Sequence, residues 1–284
     1  MQKYSIFNLV KNAFSGHQNW DLAWKDPTPK KEYDVVIIGG GGHGLATAYY
    51  LAKEHNITNV AIIEKGWIGG GNVGRNTTII RSNYMHDDNG LFSEFGMDLW
   101  RKMSQDLNYN VMFSPRGIIN LAHSDAQMNV YARRGNSMRL NGIDAELLNR
   151  EQVKEIIPMA DFSDNVRFPI FGGLMQPSAG TARHDAVAWG YARQADSMGV
   201  DIIQNCEVTG FDINNGKING VRTSRGDIKV KKIGLCVAGS TNILAEKLNM
   251  TLPIETHLLQ ACVSEPVKPV LDRVVTFGAG HFYI

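Results

Sequence analysis

Between residues 33 and 64 the spacing of apolar positions switches from continuous to helical and back to continuous. Val35-Val36-Ile37-Ile38 is an unbroken β-branched run, as a strand buried on both faces requires. Residues 45–53 carry alanines and an apolar face at helical spacing, and residues 60–63 form a second continuous apolar run. Strand, helix and strand in that order predict a parallel βαβ unit. Farther along, residues 87–107 predict a helix with Leu91, Phe92, Phe95, Leu99, Trp100 and Met103 as a core-facing stripe. Asn149 is an N-cap for a helix running to Ile157 and stopped by Pro158. Further strands are predicted at 117–122, 200–208, 218–223, 228–230, 233–237, 263–266 and 274–277, and helices at 185–198 and 242–248. A hairpin turn is predicted at Asn214-Asn215-Gly216.

The first βαβ unit carries chemistry as well as a fold. Gly39, Gly41 and Gly44 stand at the G-x-G-x-x-G spacing between its strand and its helix. The first glycine permits the tight turn, the second lets the backbone approach a pyrophosphate, and the third lets helix and strand pack closely. Free N–H groups at the helix N-terminus attract the phosphate. Glu64, about twenty residues beyond Gly44, stands where a carboxylate accepts hydrogen bonds from a ribose diol. The pattern predicts an α/β protein in which a Rossmann-like dinucleotide domain (32–114 and 172–250) interleaves with an α+β substrate domain on a mixed sheet (115–171 and 251–284). Gly172-Gly173-Leu174-Met175-Gln176-Pro177 is expected to open a further pass of the dinucleotide domain. Residues 1–31 form an arm whose Trp20 and Trp24 anchor either a partner subunit or their own domain.

After Glu64 the stretch Gly69-Gly70-Gly71-Asn72-Val73-Gly74-Arg75-Asn76-Thr77-Thr78 is too glycine-rich for regular structure and too polar for a core. Such a loop suits wrapping a dinucleotide. Arg75 and Arg81 are candidate anion ligands, since a guanidinium grips a carboxylate or phosphate in bidentate fashion; a solvated surface charge is the alternative for each. His184, at a helix start, reads by itself as a solvated or capping residue.

With 284 residues, 43% hydrophobic and 20% charged, the chain suits one large α/β domain or two interleaved ones. A net charge of +1 without a basic stripe argues against a nucleic-acid partner. Cys206, Cys236 and Cys262 form no C-x-x-C pair, so no zinc site or disulfide framework is indicated, and all three are expected as buried reduced thiols in strands. No apolar run approaches membrane-spanning length, and residues 1–16 lack a signal-peptide core, so a cytoplasmic location is expected. The apolar end, Phe282-Tyr283-Ile284, is expected to be a sheet edge that further sequence would cover.

The segments YDVVIIGGGGHGLATAYYLA, EKGWIGGGNVGRNTTIIRSNY, ARHDAVAWGYA and GVDIIQNCEVTGF together resemble the β-subunit family of heterotetrameric sarcosine oxidases. That family lies in the D-amino-acid-oxidase-like group of FAD-dependent amine oxidases. The resemblance runs from about Trp20 to the end of the chain. It implies noncovalent FAD faced by Gly39, Gly41, Gly42, His43, Gly44, Glu64, Asn72, Arg75 and Thr78, with adenine approached at Val208. It further implies FMN covalently joined to His184, and Arg81 holding the substrate carboxylate.

The activity implied by the resemblance is oxidation of sarcosine to glycine, with the one-carbon unit passed to tetrahydrofolate and peroxide formed. The implied setting is a hetero-oligomer with an α subunit and small subunits. Alternatives at this point are oxidation of another secondary amine, such as dimethylglycine or proline, or a noncatalytic flavin-binding electron-transfer subunit. An NAD-dependent dehydrogenase fits the glycine motif but leaves the 69–78 loop unexplained.

Overall fold

A computed structural model describes residues 5–18, 22–280 and 282–284. Along the chain run α1 (Ile6–Phe14), β1 (Glu32–Ile38), α2 (Gly42–His55), β2 (Val60–Ile63), β3 (Ile79–Ile80), α3 (Asp87–Asp106) and β4 (Ile118–Ala122). Next come α4 (Asp125–Leu140), β5 (Glu146–Asn149), α5 (Arg150–Ile156), β6 (Gly172–Gln176), β7 (Gly180–Thr181) and α6 (His184–Ser197). The remainder is β8 (Asp201–Ile203), β9 (Val208–Asn214), β10 (Lys217–Thr223), β11 (Gly226–Leu235), α7 (Thr241–Glu246), β12 (Val274–Phe277) and β13 (Phe282–Tyr283). No helix among the described residues is long and apolar enough to cross a membrane.

The chain divides into two compact units. The first comprises Met1–Asn76, Leu107–Asn110 and His184–Ala261. Its six-stranded sheet has the order β8-β2-β1-β11-β10-β9. β8, β2, β1 and β11 run parallel, and β10 and β9 extend the sheet as antiparallel neighbours. Val36, Ile38, Ala61 and Ile63 join Tyr33, Ile203, Phe211 and Val230 in one core cluster. Ile37 and Ile62, pointing the other way by the strand's period of two, are equally buried. Covered faces on both sides explain why these strands read as continuous apolar runs. The turn at Asn215 and Gly216, both at positive φ, joins β9 to β10 as the hairpin expected.

The arm preceding β1 is tied to its own unit. The Lys25 N–H donates to Asp196 Oδ1, Arg225 Nη1 to Asp26 Oδ1, and Lys30 pairs with Asp201. Trp24 is half-buried, whereas Trp20 lies outside the described residues.

The second unit comprises Thr77–Asp106, Val111–Arg183 and Cys262–Ile284. Its mixed sheet has the order β13-β12-β4-β6-β5, with β12 and β4 parallel and the other pairs antiparallel. Ile119, Leu121, Leu148, Val153, Ile157, Ile170 and Met175 form its main core. The Asn149 cap is a full capping box: its side chain accepts from the Gln152 N–H, and the Gln152 side chain accepts in return.

Several expected elements differ. Residues 172–176 do not open a dinucleotide pass; β6 lies between β4 and β5 in the second unit's sheet. Residues 77–106 also belong to the second unit, where β3 pairs with β7, and residues 251–261 belong to the first. Residues 263–266 form no strand, and Val263 is 96% exposed. The run 200–208 is broken at Asn205, which turns at φ 49°. The α3 stripe is turned outward at Leu91, Phe92 and Phe95, while Gly90, Met97 and Met103 face inward. Of the cysteines, only Cys206 is buried; Cys236 follows β11 half-buried and Cys262 is exposed outside any strand.

A polar lock ties β6 to the residues after β3. Gln176 and Ser82 are both fully buried. Gln176 Oε1 accepts from the Ser82 N–H at 3.0 Å, and its Nε2 donates to Ser82 Oγ at 2.6 Å. Replacing Gln176 by Leu strands a buried N–H and is expected to cost about 2–3 kcal/mol, measurable by chemical denaturation.

Candidate functional site

β1 ends at Gly39, which adopts φ 109°, where an added Cβ would overlap the Cys236 carbonyl oxygen. Adjacent β11 therefore passes too close for any side chain. Gly41 is the N-cap of α2, and no side chain caps the helix there. The first-turn N–H groups of Gly42, His43 and Gly44 are thus left for a ligand by their own helix. A Cβ at Gly41 or Gly42 would meet only Val73 Cγ2, at 3.7 and 3.6 Å, so the helix mouth is open. At Gly44 a Cβ would overlap the Gly39 carbonyl oxygen, and α2 packs on β1 only because it is absent. The His43 side chain is exposed.

Glu64 follows β2 and closes this turn from below. Its Oε2 accepts from the Gly40 N–H at 2.8 Å and its Oε1 from the Gly66 N–H at 2.9 Å. Each oxygen keeps a second lone-pair direction, so a ribose diol fits the same carboxylate. The glycine-rich loop is pinned to the turn, because the Gly69 N–H donates to the Gly40 carbonyl at 3.0 Å. Contrary to the irregular loop expected, Asn72–Arg75 form a 3₁₀ turn, which places Val73 over the mouth of α2. Asn72 and Arg75 are exposed. Val208, the first residue of β9, puts its side chain into the core cluster, leaving its backbone as the part a ligand can meet.

α6 packs against α2 and against the 3₁₀ turn at Asn72–Arg75. Tyr191 meets Tyr49 edge-on with ring centroids 5.4 Å apart, and Ala188 lies where Gly69 passes. His184 opens α6 half-buried, with Nδ1 shielded from solvent and without a hydrogen-bond partner. A buried ring nitrogen left unpaired is costly and calls for a physical explanation.

Thr78 and Arg81 belong to the second unit. Thr78 adopts φ 64°, and its carbonyl accepts from the Ala182 N–H. Arg81 is half-buried, with its guanidinium carbon 4.5 Å from the centroid of the Tyr84 ring and its Nη1 2.6 Å from Asn83 Oδ1. Sequence reasoning missed Asn83 and Arg134, which share this cluster: Arg134 Nη2 donates to the Asn83 carbonyl. Arg134 stands in a polar helix beside Arg133, and nothing in the linear pattern separates the two. Among the described residues no group of His, Cys, Asp or Glu could hold a metal.

A parallel βαβ unit with a glycine turn, an uncapped helix mouth and an acid after the second strand defines a dinucleotide-binding α/β protein. Comparison with known proteins narrows this. The family described as FAD dependent oxidoreductase matches residues 34–284. Sarcosine oxidase subunit beta of Rhizobium meliloti is 61% identical over 282 residues, covering 99% of this chain and 68% of that protein. Its counterpart in Rhodobacter capsulatus is 50% identical over 284 residues, covering 100% of this chain and 68% of that protein. Among solved structures, L-proline dehydrogenase from P. horikoshii superposes with a TM-score of 0.78 at 25% identity, covering 90% of this chain and 67% of that one. The chain belongs to the FAD-dependent oxidoreductase family and, within it, to the sarcosine oxidase β subunits, a group of amine oxidoreductases. It spans about two thirds of the length of those relatives.

The glycine turn is the most sensitive point of the first unit. Gly44→Ala is expected to push α2 off β1, costing about 3 kcal/mol of stability and releasing flavin. Chemical denaturation and the visible absorbance retained after gel filtration check both effects.

Proposed function

We propose that the chain binds FAD at the glycine turn and serves the oxidation of sarcosine to glycine, as the β subunit of a hetero-oligomer with an α subunit and small subunits. The pyrophosphate takes the N–H groups at the mouth of α2, Glu64 takes the ribose, and Asn72 and Arg75 border the dinucleotide. Adenine lies against the backbone at Val208. Bound FAD supplies the two-electron acceptor for the amine. The protein's share is to bind and orient the substrate: Arg81, held over the Tyr84 ring, takes the carboxylate in bidentate fashion. The observation that carries this reading is that Arg81 has no ion pair among the described residues, in a chain 61% identical to a sarcosine oxidase β subunit.

The reading extends to FMN joined covalently at His184. The buried, unpartnered Nδ1 fits such a group, because attachment occupies a ring nitrogen that otherwise lies orphaned. It extends also to delivery of the one-carbon unit to tetrahydrofolate, to peroxide as the second product, and to a cytoplasmic location. The likeness to L-proline dehydrogenase favours a second amino-acid substrate, proline, whose carboxylate Arg81 would hold in the same way.

Anaerobic addition of sarcosine to the flavin-loaded enzyme is expected to bleach the flavin, with proline and dimethylglycine slower; faster bleaching by either would reassign the substrate. Arg81→Met is expected to raise the KM for sarcosine by about a hundredfold, since the substrate carboxylate loses its charged partner. Acid precipitation is expected to leave yellow colour on the peptide containing His184. Colour lost wholly to the supernatant would remove the covalent group and leave the FAD reading intact.

A further inference from the structure

Two guanidinium groups in the second unit converge on one buried asparagine. Arg81 Nη1 donates to Asn83 Oδ1 at 2.6 Å, and Arg134 Nη2, reaching from α4, donates to the Asn83 backbone carbonyl. Asn83 is fully buried and cannot turn freely, because its Nδ2 donates to Asn120 Oδ1 at 2.7 Å. The Asn120 amide in turn donates to Thr276 Oγ1 on β12. Asn83 is therefore held with its oxygens toward the two arginines.

No carboxylate among the described residues balances this charge. Neither Arg81 nor Arg134 takes part in an ion pair there. The acids of the unit nearest in the hydrogen-bond network are committed elsewhere. Glu94 accepts from Ser82 and Arg101, Asp144 from Ser178 and Gln176, and Asp87 from Ser137 and Asn141. Arg134 Nε is buried and has no hydrogen-bond partner. Burial, followed by the charge of Arg81, holds the Arg134 guanidinium below the usual arginine range. Two like charges in a partly dry site without a counter-ion are costly in isolation, and an incoming anion relieves both.

We propose that Arg134 is a positioning residue of the carboxylate site. Through Asn83 it fixes the Arg81 guanidinium, and its charge makes the site select amines that carry a carboxylate over amines that do not. The inference rests on the reading of Arg81 as the group that holds the substrate carboxylate.

The test compares Arg134→Gln and Arg134→Lys in the flavin-loaded enzyme. Both side chains keep an N–H donor, but only Lys keeps the charge. The readouts are kcat and KM for sarcosine, and the Kd of methoxyacetate, a neutral-ether analogue with the same carboxylate, by titration calorimetry. Arg134→Gln is expected to raise KM and Kd by about tenfold, more than it lowers kcat, and to flatten the salt dependence of Kd. Arg134→Lys is expected to restore most of the affinity.

Equal effects of Gln and Lys, or unchanged KM and Kd in Arg134→Gln, would overturn the proposal and leave the proposed function standing. Wild-type enzyme that neither bleaches with sarcosine nor binds methoxyacetate would overturn both. Should Arg134→Gln not fold, Asn83→Asp serves instead. It places a carboxylate against the Arg81 guanidinium, on the residue whose backbone carbonyl Arg134 holds, and is expected to weaken methoxyacetate by about tenfold or more through direct competition. Unchanged affinity in that variant would overturn the proposal.

Discussion

The first unit depends on a contact that only glycine permits. β1 leaves its strand at Gly39 with β11 pressed against it at Cys236, and α2 begins close enough for Gly44 to lie against the Gly39 carbonyl. A side chain at either glycine would separate strand from strand or helix from strand. This close packing brings the uncapped mouth of α2 to the end of β1. Glu64 then holds the turn by accepting from Gly40 and Gly66, and the Gly69 N–H draws the following loop onto the same turn. One set of short backbone contacts therefore arranges the helix mouth, the Glu64 carboxylate and the loop together.

In the second unit, beside its apolar core, polar contacts fix the segment that carries Arg81. β6 supplies Gln176, whose amide satisfies both the backbone and the hydroxyl of Ser82. Ser82 stands between Arg81 and Asn83, so the lock that joins β6 to this segment also sets the backbone from which the arginine cluster projects. Asn120 of β4 and Thr276 of β12 extend the support through Asn83. Buried networks of this kind specify one arrangement because every alternative leaves a donor or acceptor unpaired. Among the described residues four buried side-chain atoms remain unpaired, His123 Nε2, Arg134 Nε, His184 Nδ1 and Asn242 Oδ1.

The βαβ unit was legible in the amino-acid sequence because its causes are local. Continuous β-branched runs, a glycine spacing set by turn geometry and an acid after the second strand all act within residues 33–64. The Asn149 capping box was legible for the same reason, since an N-cap and its N3 partner are three residues apart. Periodicity did not reveal what covers a helix face. Of the α3 stripe expected as core, Leu91, Phe92 and Phe95 are exposed, whereas Met103 is buried and Met97, outside the stripe, is buried with it. Not every predicted strand formed either: residues 263–266 form none, and Asn205 interrupts the run that precedes β9.

Tertiary structure alone decided membership and charge. Residues 172–176 read as part of a nucleotide pass, but hydrogen bonding to β4 and β5 puts β6 in the other unit. Arg81 was recognisable beside isoleucines and an aromatic, whereas Arg134 was one of two adjacent arginines in a polar helix. Its meaning comes from folding, which brings it to the carbonyl of Asn83 while the surrounding acids bond to other groups. A sequence displays interactions between near neighbours directly; compensation of charge is a sum over distant residues, and only the folded chain performs that sum.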